Sequence, residues 1–170
     1  VACGVFQGDM SFVTFHAAGF SGSGRRLVLF DSFEGLDPAQ VADGEYGASS
    51  NYVEMANGFY RKPGLHEGVV SRFARFPEVS VYKGFLPGAL EGRAPSAIAW
   101  LHVDLNSAMA EVAVLEALFD RVVPGGLIIL DDYGWIAYGL QKAAEDAFFA
   151  ARGYSVLELP TGQGLVVKRP

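Results

Sequence analysis

Cysteine is nearly absent: Cys3 stands alone in 170 residues, so no internal disulfide braces the fold and a reducing compartment is expected. Positive charge is scarce too. Thirteen Lys and Arg face 19 Asp and Glu, for a net charge of −6 and an isoelectric point near 5. This balance argues against a nucleic-acid backbone or an anionic membrane surface as partner. No apolar run reaches about 18 residues, and no charged segment followed by an apolar stretch opens the chain. Neither a membrane span nor a signal peptide is indicated, and the expectation is a soluble, cytoplasmic protein. Internal repeats and low-complexity tracts are lacking as well. What is abundant is apolar residue, 51% of the chain, enough for one domain over residues 1–170 with a substantial core. Val1 to Val5 reads as a buried strand, whereas termini usually sit at the surface. An N-terminal cap segment is therefore expected to precede it in a longer parent chain.

Strand and helix signals alternate along the chain, which predicts an α/β fold with a mostly parallel sheet and helices on both faces. Val1 to Val5 is the first strand, and a helix carrying Phe12, Phe15 and Ala18 follows. After the Ser21-Gly22-Ser23-Gly24 loop, Arg26 to Phe30 forms the second strand and ends at Asp31. Residues 33–64, rich in Gly, Asn, Ser and Tyr, read as a long loop with at most a short helix, of the kind used as a lid or binding loop. A helix from His66 to Phe76 stops before Pro77, and Val79 to Lys83 and Ala97 to Asp104 are the third and fourth strands. Val112, Leu115, Phe119 and Val122 fall at helical spacing, ended by Pro124-Gly125-Gly126. Leu127 to Asp131 is the fifth strand, and Leu140, Ala143, Ala144, Ala147 and Ala151 mark a helix closed by Gly153. Tyr154 to Leu159 and Leu165 to Lys168 are joined by five residues, too few for a parallel crossover, so they pair antiparallel. The result is seven strands, the last reversed.

The chemistry-bearing residues fall where these strands end. In open α/β sheets ligands bind beyond the carboxyl ends of the strands. Gly4-Val5-Phe6-Gln7-Gly8 joins strand to helix, where glycines admit a ligand close to the backbone and the helix amino end favours anions. It is not G-x-G-x-x-G, which weighs against a nicotinamide-dependent oxidoreductase. Asp31 occupies the place where an acid accepts ribose hydroxyls, although a solvated strand-end or helix-capping aspartate is the bland alternative. Asp104, Asp131 and Asp132 end two strands. Adjacent carboxylates repel, and a hard divalent cation bound by oxygen resolves that repulsion; the alternative is that they cap a helix and end a strand. Among the histidines, His16 and His102 read as edge or core groups. His66, at a helix start after the long loop, is the candidate general acid or base.

Taken together, G-V-F-Q-G at Gly4 to Gly8, F-D-S-F-E-G-L at Phe30 to Leu36, K-G-F at Lys83 to Phe85, L-H-V-D at Leu101 to Asp104 and P-G-G-L-I-I-L-D-D-Y-G at Pro124 to Gly134 resemble the macrocin O-methyltransferase family of S-adenosylmethionine-dependent class I methyltransferases. The closing P-T-G-Q-G-L-V-V-K run at Pro160 to Lys168 is similar to one subgroup. The resemblance implies a Rossmann-like sheet of seven strands with the last antiparallel. It implies S-adenosyl-L-methionine held by Gly4, Val5, Phe6 and Gly8 at its methionine part, by Asp31 at its ribose, and by Ser32, Gly84 and Phe85 near the adenosine. It further implies Mg2+ or a similar cation on Asp104, Asp131 and Asp132, and methyl transfer to a hydroxyl of a small-molecule acceptor, often a sugar of a natural product. Asp104 and His66 are then the expected catalytic residues, and a homo-oligomer is an expectation for a domain lacking its cap.

Three features depart from the family pattern. Ala2 stands where a glutamate is usual, which bears on cofactor affinity. Asn106 replaces a second aspartate and cannot take a proton. The N-terminal helices that help cover the pocket are not in the chain. A catalytically degenerate module that keeps cofactor or metal binding is the rival reading.

Overall fold

The computed structural model describes residues 1–42, 44–45 and 51–170. Positions 43 and 46–50, part of the expected long loop, lie outside the described residues. Seven strands form one sheet: β1 (Ala2–Cys3), β2 (Leu27–Asp31), β3 (Val79–Lys83), β4 (Ile98–Val103), β5 (Val122–Leu130), β6 (Leu157–Glu158) and β7 (Gly164–Val167). Their spatial order is β3-β2-β1-β4-β5-β7-β6. β1 to β5 pair in parallel, and β7 runs antiparallel to both β5 and β6. Six strands therefore share one direction and β7 opposes them, as the short connection before it requires.

The helices are α1 (Asp9–Ala17), α2 (Tyr52–Tyr60), α3 (Leu65–Phe73), α4 (Ala108–Leu118) and α5 (Gly139–Ala150). Strand side chains alternate between two cores. Cys3, Val28, Phe30, Leu101, Val103, Ile128 and Leu130 pack with Val114, Leu115, Leu118, Phe148 and Phe149 from α4 and α5. Ala2, Leu27 and Leu29 pack with Phe15, Val69 and Phe73 from α1 and α3. Burial on both faces explains why β2 reads as an unbroken apolar run instead of an alternating one. Among the described residues no helix is long and apolar enough to cross a membrane.

The short helix allowed for within 33–64 is α2, which spans nine of its residues, and Pro38–Gln40 form a 3-10 turn capped by the Asp37 carboxylate. Val53, Ala56, Asn57 and Tyr60 recur at helical spacing, but Asn57 breaks the apolar pattern. It is buried because its carboxamide bonds both the amide and the carbonyl of Leu36, at 2.6 and 3.1 Å. One expectation is corrected: Val122 does not continue α4. The helix stops at Leu118, Phe119–Arg121 make a 3-10 turn, and Val122 opens a nine-residue β5 that includes Pro124 to Gly126. The pairing of β4 with β5 shifts register between Ile98 and Trp100, an irregularity of the kind that tolerates a proline within a strand. Gly125 is held there by its amide on the Lys168 carbonyl, at 2.8 Å. Elsewhere element ends move by one to three residues, as end fraying allows.

The α4–α5 contact carries an unusual burden. Glu111 and Glu145 are fully buried and Gln141 nearly so. Burial pushes the Glu145 carboxyl up to about 7, and holds Glu111, with Glu145 beside it, well above the usual carboxylate range. A carboxyl whose folded pKa exceeds its unfolded one stabilises the fold below the unfolded pKa, and that stability drains as pH rises through the folded value. For Glu145 the window runs from about 4.5 to about 7. Thermal melts of Glu145→Gln between pH 5 and pH 8 should therefore lose less stability with rising pH than the parent does. A parallel decline in both proteins would refute the assignment.

Candidate active site

Four strand ends meet where the order reverses, between β1 and β4, the position at which doubly wound sheets open a crevice. A cavity of about 350 Å3 lies there, within the size range of small-molecule sites. Gly4, Val5 and Phe6 line it after β1, Asp31 and Ser32 at the end of β2, Asp104 and Asn106 after β4, and Asp131 and Asp132 after β5. Phe59 and Tyr60 enter from α2, and Phe85 and Leu86 from the loop after β3. The crevice thus has an acidic wall and an apolar, aromatic one.

The glycine turn is dictated by contact. Gly4 has φ +88°, and a Cβ there would lie 1.7 Å from the Asp104 carbonyl oxygen, so no other residue fits. Asp31 holds the turn from the other side. Its Oδ2 accepts the amides of Val5 and Phe6 at 2.6 and 2.8 Å, and its Oδ1 accepts the Phe33 amide at 2.6 Å. A carboxylate offers about four lone-pair directions, so three amides leave one for a ligand hydroxyl. Phe6 and Phe33 themselves adopt positive φ, of 48° and 52°. Asp31 thus caps the backbone of the turn, a use beyond the ribose contact expected of it.

The acidic wall is a hydrogen-bonded set. Asp131 Oδ1 accepts Gln163 Nε2 at 2.7 Å and lies 3.3 Å from His102 Nε2, and the His102 bond draws its pKa below the usual carboxylate range. Burial and then Asp131 push Asp104 up to about 8 and Asp132 up to about 6. Asn106 Nδ2 donates to Asp104 Oδ1 at 2.9 Å, and Tyr138 Oη donates to Asn106 Oδ1 at 2.7 Å. Among the described residues no three His, Cys, Asp or Glu side chains are gathered so as to hold a metal ion as they stand. Asp104, Asp131 and Asp132 share one cavity, but two of them are turned toward hydrogen-bond donors of the chain.

Three of the sequence-predicted residues lie outside the lining. Gly8 caps α1 in the left-handed conformation and backs onto Val69 and Phe73. Gly84 sits behind the wall, its amide on the Asp31 carbonyl at 2.9 Å. His66 does not reach the cavity: its neighbour Leu65 does, and one helical step turns the imidazole onto the Phe33 ring, with centroids 5.0 Å apart. Sequence reasoning missed Tyr60, Tyr138 and Gln163. Tyr60 belongs to the helix whose bounds Asn57 obscures, while Tyr138 and Gln163 come from turns with no periodic signal.

Comparison with known proteins agrees with this architecture. The pattern of the macrocin-O-methyltransferase (TylF) family matches residues 1–155. A curated 8-demethyl-8-(2,3-dimethoxy-alpha-L-rhamnosyl)-tetracenomycin-C 4'-O-methyltransferase of Streptomyces olivaceus is 30% identical over 142 residues, 78% of this chain and 52% of its own. The chain thus spans about half the length of that relative. Among solved structures, the O-methyltransferase NovP superposes with a TM-score of 0.75 at 19% identity, over 99% of this chain and 71% of its own. The calicheamicin methyltransferase CalS11 gives 0.71 at 20% identity, over 98% and 70%. At such identities the likeness shows the fold, that of the class I methyltransferases.

The Gly4 contact yields a direct test. Gly4→Ala must displace the Asp104 backbone, at a cost of roughly 3 kcal/mol or more, whereas Gly22→Ala, with positive φ but open space, should cost about 1 kcal/mol. Urea denaturation of both variants measures the difference, and equal costs would mean that the crevice tolerates a side chain.

Proposed function

The chain belongs to the macrocin-O-methyltransferase family, and from that membership and the shape of the cavity we propose that it transfers the methyl group of S-adenosyl-L-methionine to a hydroxyl oxygen of a small molecule, a sugar or another natural product. The observation that carries this reading is the pairing of Gly4 with Asp31: a turn stripped of side-chain volume beside a carboxylate with one lone pair to spare. In this reading Gly4, Val5 and Phe6 hold the methionine part, with Gly8 setting the helix start behind them. Asp31 accepts a ribose hydroxyl. Ser32 and Phe85, with Gly84 shaping their loop, flank the adenosine beside Leu86. The bound cofactor supplies an electrophilic methyl on a sulfonium, and its demethylated form leaves as a neutral thioether. The cavity aligns the acceptor oxygen with that methyl and excludes water, so catalysis is mainly positioning.

The reading extends to magnesium. Asp104, Asp131 and Asp132 form an all-oxygen donor set on one wall, the chemistry that a hard cation selects. Asn106, Gln163 and His102 are the kind of neighbours that orient such ligands. A cation held by these carboxylates would supply a positive charge that lowers the pKa of an acceptor hydroxyl, and the carboxylates would set its direction. Because Asn106 carries an amide and His66 lies outside the lining, the carboxylates are the groups on this wall able to take the acceptor's proton. In the rival reading, a degenerate module of the same fold, binding persists without turnover.

Calorimetric titration of S-adenosylhomocysteine, with and without magnesium, tests both halves. Binding in the micromolar range is expected, and Asp31→Asn should weaken it about tenfold to a hundredfold, the worth of a charge-assisted hydrogen bond. Asp131→Ala should abolish the magnesium response and keep the fold. No binding by the parent overturns the cofactor assignment, an unchanged magnesium titration in Asp131→Ala overturns the metal assignment, and binding without methyl transfer across a panel of hydroxylated acceptors favours the degenerate module.

A further inference from the structure

The loop that carries Asp104 and Asn106 is gripped from behind by a residue that takes no part in lining the cavity. Glu111, one turn into α4, accepts two backbone amides of this loop on a single oxygen: Leu105 N donates to Oε1 at 2.8 Å and Asn106 N at 3.2 Å. The grip matters because Asn106 is itself in the left-handed region, φ 53°, and nearly buried. That backbone sends its carboxamide to Asp104 Oδ1 on one side and to the Tyr138 hydroxyl on the other. The opposite oxygen of Glu111 faces α5. Glu111 and Glu145 are each fully buried, and Glu111 Oε2 and both Glu145 oxygens meet no hydrogen-bond donor among the described residues. Two ionised carboxylates in contact repel, so a proton on Glu111 Oε2, donated to Glu145, completes the arrangement. Glu111 is then both donor and acceptor, a link from α5 through α4 to the active-site loop. A buried acid pair adds little to stability compared with an apolar pair of similar volume, which argues that its place here is not explained by packing alone.

We propose that Glu111 is a positioning residue of the active site: its Oε1, by accepting the Leu105 and Asn106 amides, holds Asn106 left-handed and so aims the Asn106 carboxamide at Asp104. The proposal rests on the reading of Asp104 as part of the reactive wall. It assigns to the chain a device that compensates for an amide at position 106, since that amide can orient Asp104 only if its backbone is held.

The test separates positioning from packing. Glutamine at position 111 keeps an acceptor for the loop and a donor for Glu145, so Glu111→Gln should behave as the parent does. The double variant Glu111→Leu/Glu145→Leu removes the grip and replaces the acid pair by apolar volume, which offsets the two amides left without an acceptor, so it should still fold with a cooperative melt. In that variant, amide hydrogen exchange at Leu105 and Asn106 should quicken about tenfold or more. Its magnesium affinity, read by calorimetry, should fall about tenfold or more, as for other residues that orient ligands from behind. S-adenosylhomocysteine, held by Asp31 at the far end of the cavity, should bind within about threefold of the parent. Unchanged exchange at the two amides overturns the proposal, as does faster exchange with unaltered magnesium affinity, or a Glu111→Gln variant as impaired as the double one. A parent protein that binds S-adenosylhomocysteine but no magnesium would sink the metal reading instead. Unchanged exchange at Leu105 and Asn106 would still overturn the grip of Glu111 in that case, since that comparison needs no ligand.

Discussion

Two strand ends lie so close at the switch point of the sheet that no side chain fits between them. The absent Cβ of Gly4 and the carbonyl of Asp104 occupy the same space, and the register of β1 on β4, with Cys3 opposite Val103, brings them there. From this contact the rest follows. The chain after β1 must turn away in a left-handed conformation, and its amides, freed from the sheet, need acceptors. Asp31 at the end of the neighbouring strand supplies them, which ties the glycine turn to β2 and opens the crevice between the turn and the acidic wall. The cavity is thus what remains when two parallel strands end abreast and their loops part.

The acidic wall shows how such a crevice accumulates charge. Each of β4 and β5 delivers its carboxylates at the same end of the sheet, and burial there raises the cost of ionising them together. The chain answers with hydrogen-bond donors drawn from distant elements: Gln163 from the turn before β7, His102 from within β4, and Asn106, itself bonded to Tyr138. Glu111 adds support beneath this surface, gripping the loop by its backbone. Charge at the surface of the crevice comes from the strand ends and support below it from α4, and the Leu105 and Asn106 amides join the two.

The substitution of an amide at position 106 belongs to the same logic. An acid there would face Asp104 across 2.9 Å and add a fourth repelling carboxyl, whereas the carboxamide donates to it. The local electrostatics are relieved at the expense of a proton acceptor, and the remaining acids carry that task in the proposed reaction.

Much of this was legible in the amino-acid order. Alternating strand and helix signals, the five-residue link before β7 and the acids at strand ends determined the class of sheet, its reversed strand and the side of the sheet that holds the site, because periodicity and chain reach are local properties. α2 was legible only as a short helix without bounds, because buried Asn57 is satisfied by Leu36, a residue 21 positions away, and the long β5 was hidden because its proline and glycines sit in an irregularity of pairing that only the neighbouring strand creates. His66 looked like a mobile acid or base, and the phase of its helix turned it onto Phe33. Tyr138, Gln163 and the grip of Glu111 were decided by tertiary structure alone, since a hydrogen bond between turns far apart in the chain leaves no spacing to read. Sequence by itself determined which chemistry the strand ends deliver; the folded structure decided which of those groups face the cavity and what holds them there, because orientation depends on contacts that no local pattern encodes.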